Sequence, residues 1–289
     1  MSLVARAVGA AKTARPFLRR LAAAHRDADS DVAVAVVPGE RVATERLEDL
    51  LGIPATRAGE GEGNHAIFAP PEQGRDEDFV EGLAERVRRG DKGSAVLVGP
   101  RHVRRPIERR LAERRVGVSS TIQVPTLDGR YGDVTARRIA HSLGSDRVAA
   151  GKRYPKLRPA VADVIIRDSA RRAAIAGTLP LPGADLPALF AIQFNMVIRL
   201  AALYGHDLDA ERLVEVGVVG GSGFAFREVA RASASAVPGA GWAVRGGVAY
   251  GGTRALGEAA RIRFEHGGDL IPEKANAAVR DAIAGVTGK

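Results

Sequence analysis

The chain has 289 residues, of which 45% are hydrophobic and only 4% aromatic, with no cysteine and a formal net charge of +9. That length is long for one domain and comfortable for two, and the apolar share excludes global disorder. The missing cysteines exclude disulfides, Cys-based zinc or iron–sulfur sites and a Cys nucleophile, and they fit a reducing compartment. The excess charge is mostly arginine, a balance that GC-rich coding produces by codon bias, so nucleic acid is not the expected partner.

Leu3 to Arg26 reads as an amphipathic helix, with Leu3, Ala7, Ala11, Phe17, Leu18 and Leu21 sharing an arc of about 120°. Lys12, Arg15, Arg19 and Arg26 fall beside that arc, and no acid precedes Asp27. An apolar face with a basic flank suits the surface of an anionic bilayer, and these four residues are the expected contacts. A helix packed on its own protein, kinked at Pro16, is the competing reading. The N-terminus lacks an apolar core with a small-residue cleavage site, so no secretory signal is expected.

Residues 28–130 alternate between strand and helix patterns. Val32–Val37, His65–Ala69, Ala95–Val98 and Thr121–Val124 read as strands, and Val42–Leu51, Asp78–Arg88 and Val103–Arg115 as helices. Such alternation predicts βαβ units and a small, mostly parallel sheet. Turn chemistry fills the links, as at Pro38-Gly39 and Gly99-Pro100. Residues 131–157 read as a connector, with a helix at Asp133–Leu143 and a charged stretch from Ser145 to Lys156.

From Gly132 the strand signal stops, and residues 158–267 read as an all-α, Gly/Ala-rich domain before a polar tail at 268–289. Pro159 opens a helix that runs to about Ile175. Leu186–Tyr204, Ala210–Ser233 and Trp242–Phe264 follow. Arg171 to Ala184 and Arg227 to Ala240 align in one register, pairing Pro182 with Pro238, Gly183 with Gly239 and Ala184 with Ala240. This predicts a duplicated helix, Pro-Gly-Ala turn, helix, with Asp185 as an N-cap acceptor. Ala243, Gly247, Gly251, Ala255 and Ala259 recur every four residues on the last helix. Each interior glycine costs about 1 kcal/mol of helix stability, so the ladder predicts close helix packing.

The stretches AGTLPLPGADLPALFAIQFNMVIRLAALYG and VPGAGWAVRGGVAYGGTRALG, at 176–205 and 237–257, resemble the YcjF-like family. These are uncharacterised bacterial membrane-associated helical domains, often fused to small GTPase domains. The resemblance covers roughly Leu157 to Glu265 and rests on the two Pro-Gly-Ala turns and the helix with Gln193 and Arg199. It implies a helical membrane-associated module on the cytoplasmic side of the inner membrane, and it carries no catalytic residue.

Chemistry read from the residues is sparse. Val34 to Leu51 has the rhythm of a GTPase first strand, loop and helix, but a phosphate loop needs G-x-x-x-x-G-K-[ST]. Pro38, Ala43, Thr44 and Glu45 stand at the corresponding places, with no lysine. The six histidines form no local metal pair, and Gly220-Gly221-Ser222-Gly223 is followed by Phe224 rather than the pattern of a nucleophile elbow. Arg101 to Arg115 carries seven arginines against Glu108 and Glu113, which reads as a solvated helix face with pairs such as Arg109–Glu113. No catalytic residue, cofactor or metal is expected. The leading reading is a non-catalytic membrane-associated regulatory or scaffold protein that meets a bilayer and a protein partner such as a GTPase. The alternatives are a soluble phosphate- or nucleotide-binding protein, including a degenerate GTPase, and a basic nucleic-acid-binding accessory protein. Leu186–Tyr204 is about 28 Å long as a helix, close to the ~30 Å of a hydrocarbon core, so insertion of this helix is the expectation, with burial in a water-soluble bundle as the alternative.

Overall fold

The computed structural model describes residues 23, 26–55, 64–90, 92–99, 101–114, 120–178, 185–206 and 241–266. A small α/β unit is followed by helices alone. In chain order the first unit runs β1 (Val34–Val37), α1 (Arg41–Leu51), β2 (His65–Phe68), α2 (Asp76–Arg88), β3 (Lys92–Val98), α3 (Arg101–Glu113), β4 (Ser120–Val124) and α4 (Arg130–Ser142). The short helix α5 (Arg147–Arg153) follows, flanked by 3-10 turns at Gly144–Asp146 and Pro155–Leu157.

The four strands are all parallel and lie in the order β1-β2-β3-β4. β1 and β2 are buried throughout, as parallel strands covered on both faces require. Their side chains alternate between the faces. On one face Val37, Ala66, Phe68, Ala95 and Leu97 meet Val80 and Leu83 of α2 and Ile107 and Leu111 of α3. The Phe68 and Phe79 rings cross edge to face there at 5.9 Å. On the other face α1 and α4 pack together, and Ser94 Oγ donates to Ser142 Oγ at the end of α4 over 2.9 Å.

An isolated parallel bridge, Val36 to Ala55, places the segment after α1 on the outer side of β1. β2 lies on its inner side, so the winding reverses direction at β1. In open α/β sheets this reversal, at the carboxyl ends of the strands, is where ligands sit.

Residues 131–157, expected as a connector, pack on the sheet. Val148, Ala149, Ala150 and Leu157 are buried, and the Tyr154 hydroxyl meets the backbone N–H of Val34 at 3.1 Å. A seven-residue helix shows too little periodicity in sequence to stand out from its charged neighbours. The compact α/β unit spans Asp29–Val164, and the division falls within α6 (Arg158–Thr178).

The helical unit, from Ile165 onward, holds the rest of α6 with α7 (Asp185–Leu203) and α8 (Gly241–Glu265). Gln193 Nε2 donates to Thr253 Oγ1 at 3.1 Å, the Tyr204 hydroxyl to Glu265 at 3.3 Å, and His206 Nε2 to the Phe264 carbonyl at 2.8 Å. Contacts that advance together along both helices make α7 and α8 parallel. Gly177 faces Ala249, whereas Gly257 faces Ile166, so α6 runs antiparallel to α8. Met196, Leu200 and Leu203 of α7 and Ile166 of α6 are fully buried in this unit.

Candidate functional site

The place to look for a ligand is the reversal point, where the loops after β1 and β2 meet. Val37 ends β1, and Pro38-Gly39-Glu40 turns the chain into α1. The Glu40 carboxylate accepts from the backbone N–H groups of Val42 at 3.0 Å and Ala43 at 2.7 Å. It thus fills the positive end of the helix, which in a phosphate loop receives the phosphate. Gly39 N donates to Thr44 Oγ1 at 3.0 Å, and that hydroxyl in turn donates to the Glu40 carbonyl at 2.8 Å. Thr44 is buried, with its hydroxyl spent on the backbone.

The second loop closes the crevice. Glu40 N donates to the Pro70 carbonyl at 2.6 Å, and Ala69 N to the Val37 carbonyl at 3.0 Å. A Cβ on Gly39 would lie 2.0 Å from that Pro70 oxygen, so only glycine permits the approach. The N–H groups of Gly39, Glu40, Val42 and Ala43, which would cradle a phosphate here, already have partners within the chain.

A second polar cluster joins the amino ends of β2 and β3 to the turn before α5. His65 Nε2 and Lys92 Nζ each meet Asp146 Oδ2 at 2.8 Å, and Ser145 Oγ donates to Oδ1 at 3.2 Å. Burial pushes the Asp146 carboxyl up, but the hydrogen bonds from Lys92 and His65 outweigh it and hold the group below the usual carboxylate range. Sequence reasoning missed this cluster, because His65, Lys92 and Asp146 lie 27 to 81 residues apart in no spacing that a motif could reveal. Its place at the amino ends of the strands, away from the reversal point, makes it a tie between β2, β3 and α5. Among the described residues no three His, Asp or Glu side chains converge as metal ligands.

On α3 and just after it the arginines divide. Arg110 lies 3.7 Å from Asp76, and Arg114 pairs with Glu77 and Glu81 of α2. Arg109 pairs with Glu113 at 3.3 Å. Arg104 donates to the Gln123 side chain at 2.8 Å. His102, Arg105, Pro106, Glu108 and Arg109 line a shallow open groove.

In the helical unit Asp185 is the first residue of α7 and Arg199 is half-buried in its last quarter. Pro182, Gly183, Ala184, Pro238, Gly239 and Ala240 lie outside the described residues, as do Lys12, Arg15, Arg19 and the helix expected at Ala210–Ser233. Arg26 is exposed. On α8 Gly251 is buried, but a Cβ on Gly247 would meet nothing within 4 Å. The closest approaches lie elsewhere on the helix. A Cβ on Gly246 would lie 2.7 Å from Thr178, and one on Gly257 2.8 Å from Ile166 and 3.0 Å from Met196. The expected every-fourth ladder therefore shifts by one residue at its start, because packing follows the 3.6-residue turn through Gly246, Thr253, Gly257 and Phe264.

No described helix is long and apolar enough to cross a membrane, which corrects the expectation for Leu186–Tyr204. Gln193, Asn195 and Arg199 dilute its apolar character, and Gln193 is engaged with Thr253 of α8.

No known family's profile matches this chain. No solved structure matches it either. It is similar to Magnetosome membrane protein 22 of Magnetospirillum gryphiswaldense, at 32% identity over 135 residues. The alignment covers 42% of this chain and 66% of that protein, just short of two thirds of the relative's length.

Proposed function

We propose that this is a non-catalytic, membrane-associated regulatory or scaffold protein. Its helical unit is a YcjF-like module, and its α/β unit is a docking platform for a protein partner such as a small GTPase, on the cytoplasmic face of the inner membrane. The observation that carries the non-catalytic half is the closed reversal point, where the Glu40 carboxylate takes the two N–H groups that a phosphate would use. A nucleotide would have to displace a tethered anion and break the Glu40–Pro70 contact, without a lysine to attract it. The membrane half is supported by the likeness to a magnetosome membrane protein.

Titration with GTP and ATP in the presence of magnesium tests the first half. The expected result is no saturable binding and no turnover; magnesium-dependent hydrolysis lost on substitution within Pro38 to Glu45 overturns it. Fractionation tests the second half, with the protein expected to pellet with membranes and to be released at alkaline pH. A protein wholly in the supernatant at low salt overturns it. The nucleic-acid reading is disfavoured by Arg110 and Arg114, whose charge is already met by α2 carboxylates.

A further inference from the structure

We infer that the helical unit meets an anionic bilayer with one end, the end formed by the last turns of α6 and the first turns of α7 and α8. This rests on the membrane-associated reading above and names the surface and lipid class that it leaves open. α7 is mostly apolar, and its two halves are treated differently. From Met196 to Leu203 every residue but Arg199 is buried. From Ala188 to Asn195 none is, although Leu189, Phe190, Ile192 and Phe194 lie in that stretch. Phe190 is 44% exposed and stacks on Phe194 with ring centroids 5.9 Å apart. Ile175, in the last turn of α6, is 65% exposed.

These residues share a level of the bundle. Gln193 bonds to Thr253, and the close contacts of Gly246 with Ala174 and Thr178 bring the α6 terminus beside the start of α8. Scattered apolar side chains on a surface are ordinary, but a large aromatic pair and an isoleucine at one end of a unit mark an interaction surface.

The charge at this level selects the partner. Arg171, Arg172 and Arg245 are exposed there. Within 168–178, 185–195 and 241–252 the sequence has three arginines and two acids, Asp185 and Asp168, the latter 3.7 Å from Arg171. Aromatic and aliphatic side chains ringed by arginines fit the boundary between acyl chains and anionic headgroups, where each basic residue adds about fivefold to binding. An acidic protein surface would satisfy the arginines but not the aromatic pair.

The test uses the full chain with vesicles of phosphatidylcholine alone or mixed with phosphatidylglycerol, by co-sedimentation. The sole tryptophan, Trp242, belongs to the first turn of α8, so quenching by brominated lipid reads contact at this end. We expect binding to the mixed vesicles, weakened by salt, together with quenching of Trp242. The Phe190→Ser/Phe194→Ser variant is expected to lose about tenfold or more. Arg171→Gln/Arg172→Gln is expected to lose about 25-fold. Val42→Ser, an exposed position of the α/β unit, is expected to lose nothing. Circular dichroism verifies that each variant folds. Wild-type binding without quenching, or binding unaffected by both double variants, overturns this surface while membrane association stands. Failure of the wild type to bind either vesicle overturns both. A wild-type dimer that the double serine variant dissociates assigns the face to a second copy, and protection of Phe190 by residues 207–240 without lipid assigns it to the chain itself; either sinks the proposal.

Discussion

Two glycines ten residues apart on α8 give opposite expectations for the same substitution. Gly247→Ala and Gly257→Ala gain the same helix propensity, about 0.5–1 kcal/mol, since both sit inside one helix. At Gly247 the added methyl meets nothing within 4 Å, so the gain stands. At Gly257 it would lie 2.8 and 2.9 Å from the two γ-carbons of Ile166 and 3.0 Å from the Met196 sulfur. Met196 is flexible and can give way, but Ile166 is β-branched, fully buried and held in its rotamer. Overpacking at such a site costs about 1–3 kcal/mol. The propensity gain cancels between the two variants, so the difference in stability is that overpacking cost alone. Urea unfolding followed by Trp242 fluorescence reads the helical unit specifically. Gly247→Ala should raise the midpoint, and Gly257→Ala should fall below it by the equivalent of about 1–3 kcal/mol at unchanged slope. Equal midpoints would refute the packing of α6 against α8.

Replacing Glu40 by alanine removes the cap of α1 and should cost about 1 kcal/mol, read by guanidinium unfolding under far-UV circular dichroism; an unchanged midpoint would mean that the carboxylate does not hold the helix end. Asp146 has its pKa held below the unfolded value, so its contribution is complete above the ordinary carboxylate range. That contribution is lost as pH falls through the folded pKa, below about pH 4. Asp146→Asn should therefore flatten the acid limb of the stability curve and lower stability at neutral pH, and a curve parallel to wild type would contradict the cluster. Deleting Met1 to Arg26 removes Lys12, Arg15, Arg19 and Arg26, and at about 1 kcal/mol each near an anionic surface the loss of vesicle binding should be large. Unchanged co-sedimentation would leave that segment without a membrane role.

The order of elements in the α/β unit was legible because each carries a local signal. Val34–Val37 is a β-branched run, Leu47 and Leu51 recur at helical spacing, and Gly52 and Gly99 stop elements by adopting positive φ. That the loop after β1 lacks the phosphate-loop pattern was legible too, since this needs only the residues at Pro38, Ala43, Thr44 and Glu45. The role of Glu40 was not, because a carboxylate can cap or repel according to where the helix axis lies. Likewise the small-residue ladder was read at a strict period of four; its Gly251 and Ala255 are buried, and the structure adds close approaches at Gly246 and Gly257.

By itself, then, the sequence determined the parallel α/β unit, the helical remainder and the small-residue character of the last helix, since propensity, periodicity and turn residues act over a few positions. Only the tertiary structure decided that the winding reverses at β1, that Pro70 seals the crevice against Gly39, and that His65, Lys92 and Asp146 meet. It also decided that α7 and α8 run parallel, with Met196 to Leu203 buried except Arg199 and 188–195 left partly or fully exposed. Each of these depends on contacts between residues tens of positions apart, which chain-local patterns do not encode.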